Sequence, residues 1–332
     1  MSSLPPTSNE PSFSSGCAVG LDLGGTKILG VVLDAMSGEV LVEHKIANPR
    51  SSGADLVAAF RSLIDHLTQG QSPLLAIGLG LAGLVDRDGV LRYGPNVPGI
   101  VDLAVRREFE SAFAVPVVID NDAAMALRAE LDRGAGVGHD DVVLVTQGTG
   151  IGGALAVGGK VLSGANGFAG EPGHMLVQRN GHRCACGQLG CWEAYASGAG
   201  LVNLWTDVAA EGRGHGILER AGGDRTTLRG EHVSAAAADG DPDAIEIFDR
   251  FASWVAQGLG NLVTLLDPHV VILGGGIAEA SEHFLTGVQD QMHQFVMGAG
   301  HRPRVPVVRA SLGETSGAVG SALAGLAALP LR

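Results

Sequence analysis

AVGLDLGGTKILGVVL, residues 18–33, decides the fold. Two apolar runs, 18–23 and 27–33, are separated by Gly24-Gly25, and a third run at 40–47 follows the turn at Ser37-Gly38. Short strand-forming runs parted by glycine turns predict a three-stranded antiparallel meander. The pattern returns at residues 142–157, VVLVTQGTGIGGALAV, with strands expected at 142–145, 152–157 and 160–162. After the first meander, Leu56, Phe60, Leu63, Ile64 and Leu67 recur at helical spacing behind a Ser52 cap. A strand at 74–81, a helix near 103–113, a strand at 115–119 and a helix from about Ala123 complete that half. The second half continues with helices, the longest ending near Leu266, then strands at 270–273 and 305–308 and a closing helix from about Glu314.

A meander followed by alternating helices and strands, present twice, predicts a duplicated α/β fold with two lobes around a cleft. The expected domains are a disordered tail at 1–16, a small N-terminal lobe at 17–121 and a large lobe at 122–312. The closing helix, 313–332, is expected to rejoin the first lobe, with a hinge near Asp120 to Ala123.

Composition removes several function classes. Lys and Arg number 22 against 35 Asp and Glu, a formal net charge of −13, so a nucleic-acid backbone or an anionic membrane gains no electrostatic help. The uncharged stretches are interrupted by polar residues and glycine, which argues against membrane spans. The polar start lacks the apolar segment of a signal peptide, so a cytoplasmic location is expected. Glycine stands at 51 of 332 residues, about twice the usual share of roughly 7%, and reads as tight corners between elements.

Those corners are candidates for holding phosphate. Gly78-x-Gly80-x-x-Gly83 and Gly148-x-Gly150-x-x-Gly153 match the dinucleotide fingerprint in letters, but no helix is expected to open after either, and no Gly-Lys-Ser/Thr loop is present. The first corner instead combines Asp22, Gly24, Gly25, Thr26 and Lys27, offering amides, a hydroxyl, a positive charge and a carboxylate suited to magnesium. The second combines Thr146, Gly148, Thr149, Gly150 and Gly152; a third, Gly274-Gly275-Gly276, lies between a strand and a helix. Three such corners in a duplicated fold point to a nucleotide polyphosphate gripped from both sides.

Asn121-Asp122 follows a strand and opens a helix, a place for either a cap or a general base. Asp120 is a rival base, since a two-residue offset puts it on the same side of a continued strand as Asp122. His174, Cys184, Cys186 and Cys191 lie within eighteen residues and match a closed tetrahedral zinc site of structural type. Glu171 and Glu193 flank it, and with Asn96 in a Pro- and Gly-rich turn they suit sugar hydroxyls.

These motifs together resemble the ROK family of bacterial sugar kinases, and within it the glucokinases, from about Ala18 to Leu329. The resemblance implies an actin-like, ribonuclease-H-like ATPase fold and transfer of the γ-phosphoryl group of ATP, with Mg2+, to the 6-hydroxyl of glucose. It favours Asp122 over Asp120 as base, assigns Asn96, Asn121, Asp122, Glu171, His174 and Glu193 to the sugar, and implies a homodimer. Ala124 stands where the family often has Asn, which bears on the sugar subtype. N-acetylmannosamine, N-acetylglucosamine, mannose or fructose are alternative acceptors, and polyphosphate an alternative donor. A sugar-responsive repressor of the same family would need a helix-turn-helix ahead of Asp22, where only a polar tail is expected. A redox role for Cys184 and Cys186 would compete with the metal for both thiols.

Overall fold

The structure, a computed structural model, describes residues 15–94, 102–279 and 282–330. The tail expected at 1–16 therefore lies almost wholly outside the described residues, as does Asn96. The strands are β1 (Cys17–Leu23), β2 (Lys27–Asp34), β3 (Val40–Ala47), β4 (Leu74–Leu81), β5 (Leu84–Val85), β6 (Leu91–Tyr93) and β7 (Val117–Asn121). They continue with β8 (Val142–Gln147), β9 (Ile151–Val157), β10 (Lys160–Val161), β11 (Val270–Gly274) and β12 (Val307–Arg309). The helices are α1 (Gly53–Leu67), α2 (Arg106–Phe113), α3 (Asp122–Arg133), α4 (Glu193–Ala196), α5 (Gly198–Ala210) and α6 (His215–Arg220), then α7 (Gly230–Ala238), α8 (Pro242–Leu266), α9 (Gly276–Glu279), α10 (Glu282–Met292) and α11 (Ser316–Ala327).

Two five-stranded sheets share one design. The first runs β3-β2-β1-β4-β7 and the second β10-β9-β8-β11-β12. In each, the meander is antiparallel and the last two strands add in parallel to its first strand. The fold is thus the duplicated α/β, actin-like architecture. The chain divides into two compact units, one reaching Ala126 and resuming at Gly317, the other Leu127–Ser316.

In the first unit, α1 starts where Ser52 Oγ accepts the N–H of Asp55 at 3.1 Å, and it buries Leu56, Phe60, Leu63 and Ile64 against Val19, Leu21 and Ile28. Phe60 meets Phe109 of α2 edge to face at 6.4 Å. The other face of the sheet carries α11, and here the glycine excess has a use other than corners. Gly20 and Gly78 are neighbours across β1 and β4, and a Cβ on either would collide with the backbone carbonyl of Ala318 or Ser321. Only paired glycines let this small-residue helix lie directly on the strands.

In the second unit, α8 begins at Pro242 with Asp241 accepting the N–H groups of Asp243 and Ala244, and buries Phe251, Val255 and Leu259. Trp192 lies fully buried against Gly258, where any Cβ would overlap its indole, and donates Nε1 to the Trp254 carbonyl at 2.7 Å. No helix among the described residues is long and apolar enough to cross a membrane.

Candidate active site

In the first unit β1 delivers Asp22 to the carboxyl end of the sheet. Its carboxylate lies beside Gly317 of α11, where an added Cβ would stand 2.6 Å from Asp22 Cγ. The hairpin beyond is closed by the Gly24 N–H donating to the Lys27 carbonyl at 2.9 Å. Asn48 Nδ2 donates to the Gly24 carbonyl at 3.0 Å, and Arg50 Nε to that of Gly25. Thr26 is exposed at the tip.

The strand before Asn121-Asp122 is β7, which runs two residues beyond the expected end and includes Asp120 and Asn121. The chain turns into α3 at Asp122, so Asp120 and Asp122 do not share a strand face, and the two-residue offset argument fails. Capping falls mainly to Asn121: its Oδ1 accepts the N–H groups of Ala123 at 2.9 Å and Ala124 at 3.1 Å. Its Nδ2 donates to the Gly83 carbonyl at 3.1 Å. Gly83, at φ 132, occupies a turn where a Cβ would strike the Tyr93 carbonyl, so this cap also fixes the β5–β6 hairpin.

Asp122 is half-buried at the positive end of α3, where its Oδ1 accepts the Ala123 N–H at 2.9 Å. Burial raises its pKa, and the N–H groups of the helix start oppose that rise. Asp22 is pushed up to about 8, first by burial and then by the negative charge of Asp122, against the pull of Lys27. Two carboxylates that resist joint ionisation form a site for a cation or a proton.

In the second unit two glycine corners meet. Thr146 of β8 is in register with Gly274 of β11, and Gly275, at φ 90, leaves no room for a Cβ against the Gln147 carbonyl. Gly276 then opens α9. Gly148, Thr149 and Gly150 form the β8–β9 turn; Gly152 follows in β9, opposite Thr146.

The metal candidates also converge. Nδ1 of His174 and the Sγ atoms of Cys184, Cys186 and Cys191 all lie within 4.8 Å of one another. Cys184 Sγ to His174 Nδ1 and Cys186 Sγ to Cys191 Sγ are both 3.7 Å. A tetrahedron with Zn–S bonds of about 2.3 Å has S···S edges near 3.8 Å, which the Cys186–Cys191 separation matches, and three thiols with one imidazole are a donor set suited to zinc. Burial raises the pKa of Cys184 and Cys191 above the ordinary thiol value, and the Glu193 charge adds to both. A bound cation would reverse that balance.

Glu193 is the link between the cluster and the glycine corner. Its Oε2 accepts the Ile151 N–H at 2.8 Å and its Oε1 lies 3.3 Å from Cys184 Sγ. A Cβ on Gly150 would collide with this carboxylate. Glu171 precedes the short helical turn of Pro172 to His174, whose Gly173 is pressed against Ile151.

The ROK family pattern matches residues 18–327. The chain belongs to the ROK family.

A glucokinase from Streptomyces coelicolor is 35% identical over 315 residues, covering 92% of this chain and 96% of that protein. A ROK family glucokinase from Streptomyces griseus, solved in complex with glucose and AMPPNP, superposes with a TM-score of 0.80 at 35% identity, covering 93% of this chain and 99% of its own. An N-acetyl-D-glucosamine kinase from Erwinia tasmaniensis is 30% identical over 91% of this chain and 97% of its own length. In this ROK chain, sequence reasoning passed over Gln147 and the 197–199 segment. Gln147 is fully buried and donates Nε2 to the Ala196 carbonyl at 2.8 Å, while Gly198 and Ala199 hold the second corner by its carbonyls. The local signal was Ser197, whose Oγ accepts the Gly200 N–H as the cap of α5.

Proposed function

We propose that this chain transfers the γ-phosphoryl group of ATP to the 6-hydroxyl of glucose, with Asp122 as general base. The observation that carries this reading is the half-buried Asp122 carboxylate at the positive end of α3, beside Asp22, in a chain 35% identical to a glucokinase along 92% of its length.

Asp122 takes the proton of the attacking hydroxyl while that oxygen bonds to the γ-phosphorus and the bridging oxygen departs with ADP. A raised pKa suits a group that accepts a proton during the step. Asn121, Glu171, His174 and Glu193 would serve the remaining sugar hydroxyls, with the Asn121 amide already fixed by its cap. His174 turns Nδ1 toward the thiols, which would leave Nε2 for a hydroxyl. Asn96 belongs to the same proposed set.

The amides of the corners at Gly24-Gly25, Gly148 to Gly150 and Gly274 to Gly276 would hold the phosphates, with Thr26, Lys27, Thr146 and Thr149 adding hydroxyls and a positive charge. Magnesium bound with the nucleotide would supply charge neutralisation, and Asp22 would hold it through water. His174, Cys184, Cys186 and Cys191 would hold zinc in a closed site that supplies folding energy rather than reactivity.

Asp122→Asn tests the reading. Turnover of glucose with ATP is expected to fall by about 10²–10⁴-fold with little change in KM. Near-normal turnover in the folded variant would remove Asp122 as the base. N-acetylglucosamine is the second acceptor to assay, because a kinase for that sugar is also 30% identical to this chain.

A further inference from the structure

We infer that the N-terminus of α5 backs the second glycine corner electrostatically, aiming its amides at phosphate, and that Gly198 is the positioning residue that makes this contact possible. The inference rests on the kinase reading only in naming the ligand as the phosphate chain of a nucleotide.

The Gly148 carbonyl accepts the Gly198 N–H at 2.9 Å, and the Thr149 carbonyl accepts the Ala199 N–H at 3.2 Å. These donors belong to the first turn of a thirteen-residue helix, where N–H groups have no partner within the helix. Every described peptide bond is trans, and in a planar trans peptide the N–H points opposite to the C=O. With carbonyls 148 and 149 turned onto α5, the N–H groups of Thr149 and Gly150 face away from it. The flanking amides turn elsewhere: the Gly148 N–H goes to the Gly150 carbonyl at 3.0 Å and the Ile151 N–H to Glu193 Oε2 at 2.8 Å.

Two loop peptides therefore stand in line with α5 and extend its dipole by one layer, with positive ends at Thr149 and Gly150. A phosphate reaching those amides meets the field of a helix N-terminus although the corner itself leads into a strand. The contact is close at Gly198: a Cβ there would stand 3.0 Å from the Gly148 carbonyl oxygen, so a larger residue has to push that carbonyl back. Gln147, tied to Ala196, and Glu193, tied to Ile151, brace the two sides of the same turn.

Gly198→Pro deletes one of the two donors at a helix position that suits proline, after a Ser197 already extended at φ −128 and ψ −180, and its ring Cδ, standing where the N–H pointed, also pushes the Gly148 carbonyl off α5. Gly198→Ala keeps the N–H and only crowds the carbonyl. In the full-length protein, calorimetric titration with AMPPNP is expected to show about tenfold weaker binding for Gly198→Pro and a smaller loss for Gly198→Ala. KM for ATP should rise in parallel while KM for glucose and the inhibition constant of adenosine, which has no phosphate, stay within about twofold. If Gly198→Pro does not fold, Gly198→Ala decides alone. The inference is overturned if a folded variant binds AMPPNP as the parent does, or if adenosine weakens to the same extent. If the parent chain binds no AMPPNP, the nucleotide reading falls first and takes the inference with it.

Discussion

The first and second glycine corners occupy the same place in the same topology, yet they are built from different chemistry. Asp22 pairs in register with Gly80 in the first sheet, and Thr146 pairs with Gly274 in the second, so one position carries a carboxylate in one unit and a hydroxyl in the other. Around Asp22 lie a second carboxylate and the small residues of α11. Around the β8–β9 turn lie polar ties: Gln147, Glu193, the start of α5 and Cys191, which ends the His/Cys cluster two residues before α4 begins. Duplication supplied the frame. The copies then diverged: one carries neighbouring carboxylates, the other a turn whose carbonyls are tied to the start of α5.

That contrast is broken most forcefully through the metal. Metal analysis is expected to return about one zinc per chain. Stripping it with a chelator should loosen the second corner, because Glu193 follows Cys191 by two residues and carries the Ile151 contact. Hydrogen exchange is expected to rise in 174–199 and 147–151 by well over an order of magnitude, since structural zinc in small domains contributes roughly 10 kcal/mol of apparent folding energy. Peptides from β1, β2 and α11 should exchange as before. Equal loosening of both corners would erase the difference between them.

Glu130 gives a smaller test of the same division. This α3 carboxylate is completely buried and accepts the N–H groups of Ala135 at 2.7 Å, Ser311 at 3.1 Å and Leu312 at 3.0 Å. Glu130→Ala would remove the shared acceptor of three backbone N–H groups, a loss of about 1–3 kcal/mol, since these donors are only partly shielded from water. Denaturant melts should show it as a lower midpoint, and Glu130→Gln, which keeps one acceptor, should recover part of it. A midpoint unchanged by the alanine variant would show that buried polar ties are not what holds the second unit.

Much of this was legible in the sequence, and the reason is local. Strand alternation, glycine turns, the Ser52 cap and the clustered Cys and His all express their role within a few residues, so β1 to β4, α1 and the ligand set of the candidate metal site followed from pattern. What escaped depends on distant partners. Gly20 and Gly78 fall inside expected strands with no local reason to be glycine, because α11, far later in the chain, is what excludes their side chains. The β7–α3 junction was misplaced because Asn121 takes its hydrogen bonds from Gly83 and from the helix it starts, leaving no apolar mark on the strand. Glu130 and Gln147 are polar letters in apolar surroundings, and only their contacts with 311–312 and Ala196 explain them.

The finest distinction between the corners is a proton. Asp22 binds its proton up to about pH 8 in the folded chain, whereas an unfolded aspartate releases it near about 4. A group held more tightly protonated when folded contributes fully below the unfolded value and loses that contribution as pH rises through the folded one. Between about pH 4 and 8, Asp22 therefore makes the parent protein lose stability as pH rises. Asp22→Asn has no proton to lose, so without nucleotide or magnesium its Tm should gain on the parent by a few degrees from pH 5 to pH 8. Thr146→Val, the matching change in the second corner, should shift Tm by the same amount at both pH values, since a hydroxyl does not titrate there. Magnesium should shrink the Asp22 effect by stabilising the ionised carboxylate. A pH-independent difference for Asp22→Asn would mean that neither burial nor Asp122 holds the proton on Asp22, and that the first corner is no more a proton and cation site than the second.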